Sequence, residues 1–250
     1  MQCVILAGGL ATRMRPLTDE RPKALLPVAG RPFIDHQLEW LGRHGVTHVV
    51  MSIGYRGEML RAHVGAGARF GLVVTYVDEG TNLRGTAGAL RLALGQGALD
   101  DAFLVTYGDS FLPCDFGEVW ARFRRSGLPS LMTVFRNEGL FDTSNVIFEP
   151  SDDDARALRD GRLVLYDKRR ATRPPADFAY IDYGLTALER RLVESEVPEA
   201  PPSGKADLAD LFHALSLRGE LAGLEVRERF HEIGSPEGLE ELSQWITANL

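Results

Sequence analysis

The residues best suited to chemistry follow the first apolar run of the sequence, at residues 4–6. Two adjacent glycines, Gly8 and Gly9, let the backbone turn sharply and bring its N–H groups close to a ligand. Two cations, Arg13 and Lys23, follow in the same segment. Because backbone amides can surround phosphate oxygens while cations neutralise them, the segment predicts a polyphosphate site.

A second candidate for chemistry is Asp109, which follows Gly108 and the apolar run at residues 103–107. An acidic residue at the carboxyl end of a parallel strand points into the ligand crevice of an open sheet. Mg²⁺ prefers one or two carboxylates together with phosphate oxygens and water. We therefore predict Asp109 as a magnesium ligand, although a Gly-Asp pair alone would equally suit a turn.

Alternating strands and helices are predicted to position these residues, because short apolar runs alternate with segments of helical periodicity in the first half of the chain. Strands are predicted at 2–6, 47–54, 72–77 and 102–107, and helices at 32–44, 57–64, 86–96 and 115–126. This alternation favours a mainly parallel sheet that helices cover on both faces. The second half predicts a mixed or antiparallel extension, with strands at 130–136, 144–149, 162–166 and 180–186 and helices at 206–218 and 236–248.

Residues 6–28 resemble the signature G-G-x-G-T-R-x-x-P-x-T-x-x-x-P-K-x-x-x-P-V of the sugar-1-phosphate nucleotidylyltransferases. The matching positions are Gly8, Gly9, Thr12, Arg13, Pro16, Thr18, Pro22, Lys23, Pro27 and Val28. Ala11 stands where the family usually has glycine; if that residue needs a positive φ, alanine costs roughly 1 kcal/mol. The chain is identified as a member of this family, most similar to its short bacterial guanylyltransferase-like members, which include heptose-1-phosphate and mannose-1-phosphate guanylyltransferases.

The resemblance implies an α/β fold, namely a glycosyltransferase-A-like, Rossmann-type α/β/α sandwich with a mixed, mainly parallel central sheet. It also implies a single nucleotidyltransferase domain over residues 1–250, with a nucleotide-binding lobe at 1–135 and a sugar-phosphate-binding lobe at 136–250. Because the sequence ends at Leu250, we expect no left-handed β-helix tail of the kind that some relatives carry.

On the nucleotide lobe, residues 85–90 resemble the family element L-G-T-A-G-A-L, with Arg84 interrupting the usual Leu-Gly pair. The resemblance places Glu79 at the base edge and the Gly85 backbone against the base. Guanine offers a carboxylate adjacent N–H donors, whereas uracil and thymine offer a single ring N–H, so GTP is favoured. The implied nucleotide-binding residues are Leu6, Ala7, Gly8, Gly9, Thr12, Arg13, Glu79, Gly85 and Thr86.

On the other lobe, shorter segments resemble those that contact the sugar phosphate in the family. Asp167 and Lys168 are similar to its Glu-Lys pair, in which lysine neutralises the phosphate and the acid accepts a sugar hydroxyl. Residues 182–184 resemble its Asn-Ala-Gly element but depart from it at two positions, so the sugar identity is not inherited. The implied sugar-phosphate-binding residues are Gly108, Asn145, Asp167, Lys168, Asp182 and Gly184.

The second metal ligand is expected far along the chain. Residues 232–236 resemble the family segment D-I-G-T-P, with Glu232 where aspartate is usual, so Asp109 and Glu232 would hold Mg²⁺. The same segment is also typical of a helix start, because a serine there is followed by proline. The implied catalytic residues are Arg13, Lys23 and Asp109.

Composition narrows the expected partners. The net charge of −7 disfavours a nucleic-acid binder, which would usually be basic. The sequence has no apolar run of about 18 residues that would predict a membrane span, and its N-terminus lacks a signal-peptide pattern. Cys3 and Cys114 lack metal-ligand spacing, which predicts reduced thiols in a cytoplasm. The expected partners are an NTP and a sugar 1-phosphate, without nucleic acid or membrane, and a homo-oligomer is left open.

The implied reaction is NTP + sugar 1-phosphate → NDP-sugar + pyrophosphate, with Mg²⁺ as cofactor. Arg13 would stabilise the leaving pyrophosphate, Lys23 would hold the α-phosphate and Lys168 would steer the sugar phosphate. Three alternatives stay open: a cytidylyltransferase acting on a non-sugar phosphate, a catalytically silent regulatory subunit that binds a nucleotide sugar, and a glycosyltransferase of similar fold. The last usually shows Asp-x-Asp, where this sequence reads Gly-Asp-Ser.

Overall fold

The computed structural model describes residues 1–9, 14–151, 157–171, 173–201 and 203–250. The strands are β1 (Gln2–Leu6), β2 (Pro27–Val28), β3 (Arg31–Pro32), β4 (His48–Ile53), β5 (Val73–Asp78), β6 (Ala102–Tyr107), β7 (Ser110–Phe111), β8 (Ser130–Arg136), β9 (Val146–Pro150), β10 (Leu158–Tyr166), β11 (Tyr180–Glu189), β12 (Leu221–Val226) and β13 (His231–Glu232). The α-helices are α1 (Phe33–Arg43), α2 (Gly57–Val64), α3 (Thr86–Gly95), α4 (Phe116–Ser126), α5 (Arg190–Glu196), α6 (Leu208–Arg218) and α7 (Pro236–Asn249). No described helix combines the length and the hydropathy that a membrane span requires.

One nine-stranded sheet runs through the molecule in the order β5-β4-β1-β6-β11-β8-β12-β10-β9. Its strands are parallel at β5–β4, β4–β1, β1–β6 and β8–β12. Only β10 and β11 run against the other strands of this sheet, because each pairs with its neighbours in antiparallel fashion. The predicted mixed, mainly parallel sheet is therefore confirmed.

Strand β1 shows why helices cover both faces of this sheet. Successive side chains of a strand point to opposite faces. Cys3 and Ile5 belong to the apolar cluster that includes residues of α1, α2, α4 and α7. Val4 belongs to the second cluster, which includes residues of α3, α5 and α6. All three side chains are fully buried, so β1 packs apolar residues against helices on both faces of the sheet, and the architecture has three layers.

The register of the parallel strands brings three chain turns together. Leu6, the last residue of β1, lies opposite Ser52 of β4 and Tyr107 of β6. The segments that follow these strands contain Gly8, Gly54 and Gly108, respectively. The carboxyl ends of parallel strands form the ligand crevice of open α/β sheets, so this edge is the place to look for a site.

The second half of the chain contains two strands and one α-helix that its sequence pattern did not predict, namely β12, β13 and α5. Strand β12 lies between β8 and β10, and α5 directly follows β11. Strand β10 also begins earlier than predicted, at Leu158. The predicted boundary between the two lobes, at residues 135 and 136, falls within β8, and the division into lobes stays a prediction.

Candidate active site

A cleft of about 370 Å³ opens at the carboxyl edge of the parallel strands. This volume is in the range of small-molecule sites. The lining residues that the sequence predicted are Leu6, Ala7, Gly8, Gly9, Lys23, Glu79, Gly85, Thr86, Gly108 and Asp109. The lining residues that it did not predict are Ala24, Leu83, Ala89, Tyr107 and Lys205. Thr12 and Arg13 lie outside the described residues.

The carboxylate of Glu79 connects three segments of this cleft. Its Oε1 accepts a hydrogen bond from Ser52 Oγ at 3.1 Å, and its Oε2 accepts one from Arg84 N at 2.9 Å. A Cβ atom on Gly8 would lie 2.6 Å from the same Oε1. Glu79 thus fixes the start of the 84–86 turn against β4, and Gly8 leaves the space that the carboxylate occupies. A carboxylate has about four acceptor positions, so contact with a base stays a prediction that these two bonds permit.

We expect Gly8→Ala to displace the Glu79 carboxylate. To avoid the added Cβ, the carboxylate would have to give up its hydrogen bonds to Ser52 and Arg84 N. This loss should lower the free energy of unfolding by about 1–2 kcal/mol. The KM for the nucleotide should rise by about tenfold as the 84–86 turn loosens. Thermal unfolding and steady-state kinetics measure the two effects. Gly9→Ala is the matched control for Tm, because a Cβ there meets no described atom within 4 Å. Equal Tm values for the two variants would contradict this explanation.

The segment around Gly85 is attached to the residues that precede α6. Ala206 N donates a hydrogen bond to Arg84 O at 2.8 Å, and Ala206 O accepts one from Ala87 N at 3.0 Å. Gly85 has φ +78°, and a Cβ there would collide with the Ala206 carbonyl oxygen. The structure therefore explains this glycine by its backbone conformation and by Ala206, and its predicted position against a base remains to be tested.

Lys23 and Asp109, two of the predicted catalytic residues, meet at the cleft. Lys23 Nζ lies 2.8 Å from Asp109 Oδ2. Gln37 stabilises the turn that contains Asp109, because its Nε2 donates hydrogen bonds to Tyr107 O and to Ser110 O, both at 2.8 Å. The cation and the carboxylate are thus fixed at the end of β6, where the sequence predicted a ligand-facing acid.

Glu232 reaches the same corner through the short ribbon of β7 and β13. In its register Glu232 lies opposite Ser110, and Ile233 N donates to Asp109 O at 3.0 Å. The segment then enters α7, where Ser235 Oγ accepts from Gly238 N at 3.0 Å. The ribbon therefore brings Glu232 of β13 beside the turn that contains Asp109, directly before β7, although the two predicted metal ligands are far apart in the chain.

The chemistry of this corner fits a magnesium ion. Asp109 and Glu232 supply the hard oxygen donors that Mg²⁺ prefers. The described residues contain no group of three or more His, Cys, Asp or Glu side chains that could hold a metal. Two carboxylates are the usual protein contribution where phosphate oxygens and water complete the coordination of Mg²⁺.

Three of the predicted sugar-phosphate residues, Asn145, Asp182 and Gly184, form a hydrogen-bonded group that joins β11 to the residue before β9. Asn145 Oδ1 accepts from Asp182 N at 3.0 Å, and Asp182 Oδ1 accepts from Gly184 N at 2.9 Å. Burial raises the pKa of Asp182 to about 6, against the Gly184 hydrogen bond and the Lys168 charge, which lower it. Gly184 lies beside the Tyr107 ring, since a Cβ on it would be 3.8 Å from Tyr107 Cδ2. This group therefore adjoins the cleft.

The remaining two predicted residues follow β10. Asp167 is buried, and its Oδ1 accepts from Arg169 N at 3.1 Å. Lys168 Nζ lies 3.7 Å from Asp207 Oδ2. Sequence reasoning missed Asp207, Tyr107 and Lys205 as site residues. Two signals were available. Tyr107 directly precedes Gly108, and Asp207 lies near the start of the helix predicted at 206–218, where aspartate is a typical N-cap.

This arrangement is that of a Rossmann-type α/β protein, with a glycine turn, an acid and a cation at the carboxyl edge of a parallel sheet, where such folds bind their ligands. The chain belongs to the nucleotidyl transferase family, whose family model matches residues 2–139. This match confirms the predicted family. The roles assigned to single residues stay predictions.

Similar proteins act on different nucleotides. A mannose-1-phosphate guanylyltransferase of Mycobacterium tuberculosis is 28% identical over 95% of this chain and 62% of its own length. A glucose-1-phosphate thymidylyltransferase of Streptomyces antibioticus is 32% identical over 86% of this chain and 56% of its own length. The chain thus spans about three fifths of the length of these relatives. A solved UDP-glucose pyrophosphorylase complexed with UDP-glucose superposes with a TM-score of 0.75 at 14% identity, covering 100% of this chain and 99% of the other, and supports the glycosyltransferase-A-like fold.

Proposed function

We propose that this chain transfers a nucleotidyl group from an NTP to a sugar 1-phosphate, which releases pyrophosphate and yields an NDP-sugar. The observation that carries the proposal is the corner where the Lys23–Asp109 pair meets the strand bearing Glu232. Family membership and the activities of the similar proteins agree with this reaction.

The reaction requires charge cancellation more than proton transfer. The second pKa of a phosphate monoester is near 6, so the attacking phosphate is already an anion near neutral pH. Two anionic substrates must then be held in line against their mutual repulsion. In the proposed scheme Lys23 holds the α-phosphate, Arg13 stabilises the leaving pyrophosphate and Lys168 steers the sugar phosphate.

Asp109 and Glu232 would hold Mg²⁺. When bound, the ion would supply Lewis-acid stabilisation of phosphoryl oxygens. The chain's own contribution is to keep the carboxylates oriented: Gln37 holds the turn of Asp109, and the β7–β13 ribbon holds Glu232. The Lys23 ammonium lies at the same corner, because a Cβ on Gly234 would be 3.8 Å from Lys23 Nζ.

We further propose GTP as the nucleotide. The Glu79 carboxylate lines the cleft and is fixed by Ser52 and Arg84 N, so its remaining acceptor positions have a defined orientation. Adjacent N–H donors of guanine match two carboxylate oxygens better than the single ring N–H of uracil or thymine. The similar proteins differ in nucleotide, so this choice depends on Glu79 alone.

A pyrophosphate-release screen tests the proposal. It combines four NTPs with several sugar 1-phosphates and with non-sugar phosphates such as aminoalcohol phosphates. We expect the fastest release with GTP and a sugar 1-phosphate. Release confined to CTP and a non-sugar phosphate would replace the proposal by a cytidylyltransferase. Binding of nucleotide sugars without any turnover would instead indicate a regulatory subunit.

A further inference from the structure

Asp207 lies between the two predicted halves of the substrate site. Its Oδ1 accepts hydrogen bonds from Thr86 Oγ1 and from Ala209 N, both at 3.0 Å. Its Oδ2 lies 3.7 Å from Lys168 Nζ. Thr86 lines the nucleotide cleft, and Lys168 is the cation predicted for the sugar phosphate. One carboxylate therefore contacts a residue of each half.

We propose that Asp207 is a positioning residue that orients Lys168 toward the sugar phosphate through Oδ2 and anchors the nucleotide-binding turn through Oδ1. This inference rests on the proposed function, because Lys168 and Thr86 take their roles from it. Asp207 itself is placed to act through these two side chains rather than on the reacting atoms.

The contact between Asp207 and Lys168 is suited to orienting the lysine side chain. The Lys168 side chain is 60% exposed, so without a partner its long stem would sample many conformations. A separation of 3.7 Å gives attraction without a short hydrogen bond. An ammonium has three N–H donors, which leaves donors for a phosphate. A lysine side chain that is already oriented loses less conformational entropy when the sugar phosphate binds.

The contact with Thr86 is part of a tighter connection. Thr86 Oγ1 donates to Asp207 and accepts from Leu208 N at 2.8 Å. Together with the hydrogen bonds of Ala206, these contacts join the turn before α3 to the first residues of α6. Movement of the Thr86 turn is therefore limited by Asp207.

The charge of Asp207 is maintained by its surroundings. Burial opposes ionisation, but the Ala209 N–H and the Lys168 ammonium more than compensate, and the pKa of Asp207 lies below its ordinary value. The residue is thus anionic at neutral pH, as its contact with Lys168 requires.

The Asp207→Asn variant distinguishes the contact with Lys168 from the contact with Thr86. The amide oxygen can still accept from Thr86 and Ala209, and asparagine caps helices as well as aspartate does. Only the attraction to Lys168 is lost. We expect the KM for the sugar phosphate to rise by about five- to tenfold, with kcat and the KM for GTP within about twofold of the wild type.

Asp207→Ala removes both contacts. The KM for GTP should then rise as well, by about five- to tenfold, because the Thr86 turn loses its anchor. Should this variant fail to fold, Thr86→Val tests the same contact while Asp207 still caps α6. A Thr86→Val enzyme with an unchanged KM for GTP would overturn the anchoring role.

Two controls distinguish positioning from general structure. Asp210→Asn makes the same change in the first turn of α6, at an exposed residue that pairs with Arg169 at 2.9 Å, and should leave both KM values unchanged. In a Lys168→Met background, Asp207→Asn should raise the KM for the sugar phosphate no further. A further increase there, or equal increases in both KM values for Asp207→Asn, would overturn the inference. If the proposed function itself fails, the wild-type protein releases no pyrophosphate with any substrate pair, which is a different outcome.

Discussion

Asp109→Asn is expected to lower kcat by about a hundredfold or more, which corresponds to about 2.7 kcal/mol of lost transition-state stabilisation. The physical reason is the loss of a single charge at the corner where Lys23 and Glu232 converge. Asparagine keeps the shape of the side chain but neither holds the Lys23 ammonium, now 2.8 Å away, nor offers a carboxylate to a metal. Steady-state pyrophosphate release with GTP and the best sugar 1-phosphate is the measurement.

The fold should survive this substitution. The Asp109 side chain is 42% exposed and that of Lys23 is 17% exposed, so their ion pair contributes at most about 1 kcal/mol to stability. Asp115→Asn is the matched control: Asp115 caps α4, asparagine caps equally well, and the residue is not among those that line the cleft. A near-normal rate for Asp109→Asn, in a protein with unchanged Tm, would reject the assigned role.

Removal of divalent cations with a chelator is expected to stop pyrophosphate release, and added Mg²⁺ should restore it. Two phosphate groups and two acidic side chains would otherwise share one corner with too little positive charge to balance them. A titration of activity against Mg²⁺ measures the apparent affinity. In Glu232→Gln the half-saturating Mg²⁺ concentration should rise by about tenfold, because one of two carboxylates is lost.

Glu240→Gln serves as the control for that titration. Glu240 is an exposed residue of α7, and its Oε1 accepts a hydrogen bond from Gln244 of the same helix. Its half-saturating concentration should equal that of the wild type. Release that continues undiminished in excess chelator would remove the metal from the scheme. An unchanged Mg²⁺ requirement in Glu232→Gln would remove only Glu232.

Strand β12 and the start of β10 were not predicted, because each contains a buried charged residue whose partner is distant in the chain. Glu225, in the unpredicted strand β12, is buried, and its Oε2 lies 2.5 Å from Arg159 on β10. A pattern search treats both charges as evidence against a buried strand. The pairing that neutralises them joins residues 66 positions apart, and the same pair explains why β10 begins earlier than predicted.

The first half was predicted well, because its longer strands are mostly apolar and its helices show helical periodicity. The predicted strands 2–6 and 102–107 coincide with β1 and β6, and the predicted helix 57–64 coincides with α2. Local periodicity is sufficient to predict such elements, because the parallel strands pack against helices on both faces and therefore need no distant polar partner.

Residue types and spacing were enough to predict the family, the three-layer fold and a phosphate-binding glycine turn followed by cations. These features are local, since a turn, a strand and a run of charges are each encoded within a few neighbouring residues. Long-range packing was needed to bring Glu232 beside Asp109, to show that Gly8 makes room for Glu79, and to place Asp207 between Thr86 and Lys168. These contacts between distant residues depend on strand register and on the placement of helices over the whole chain, which no local sequence pattern specifies.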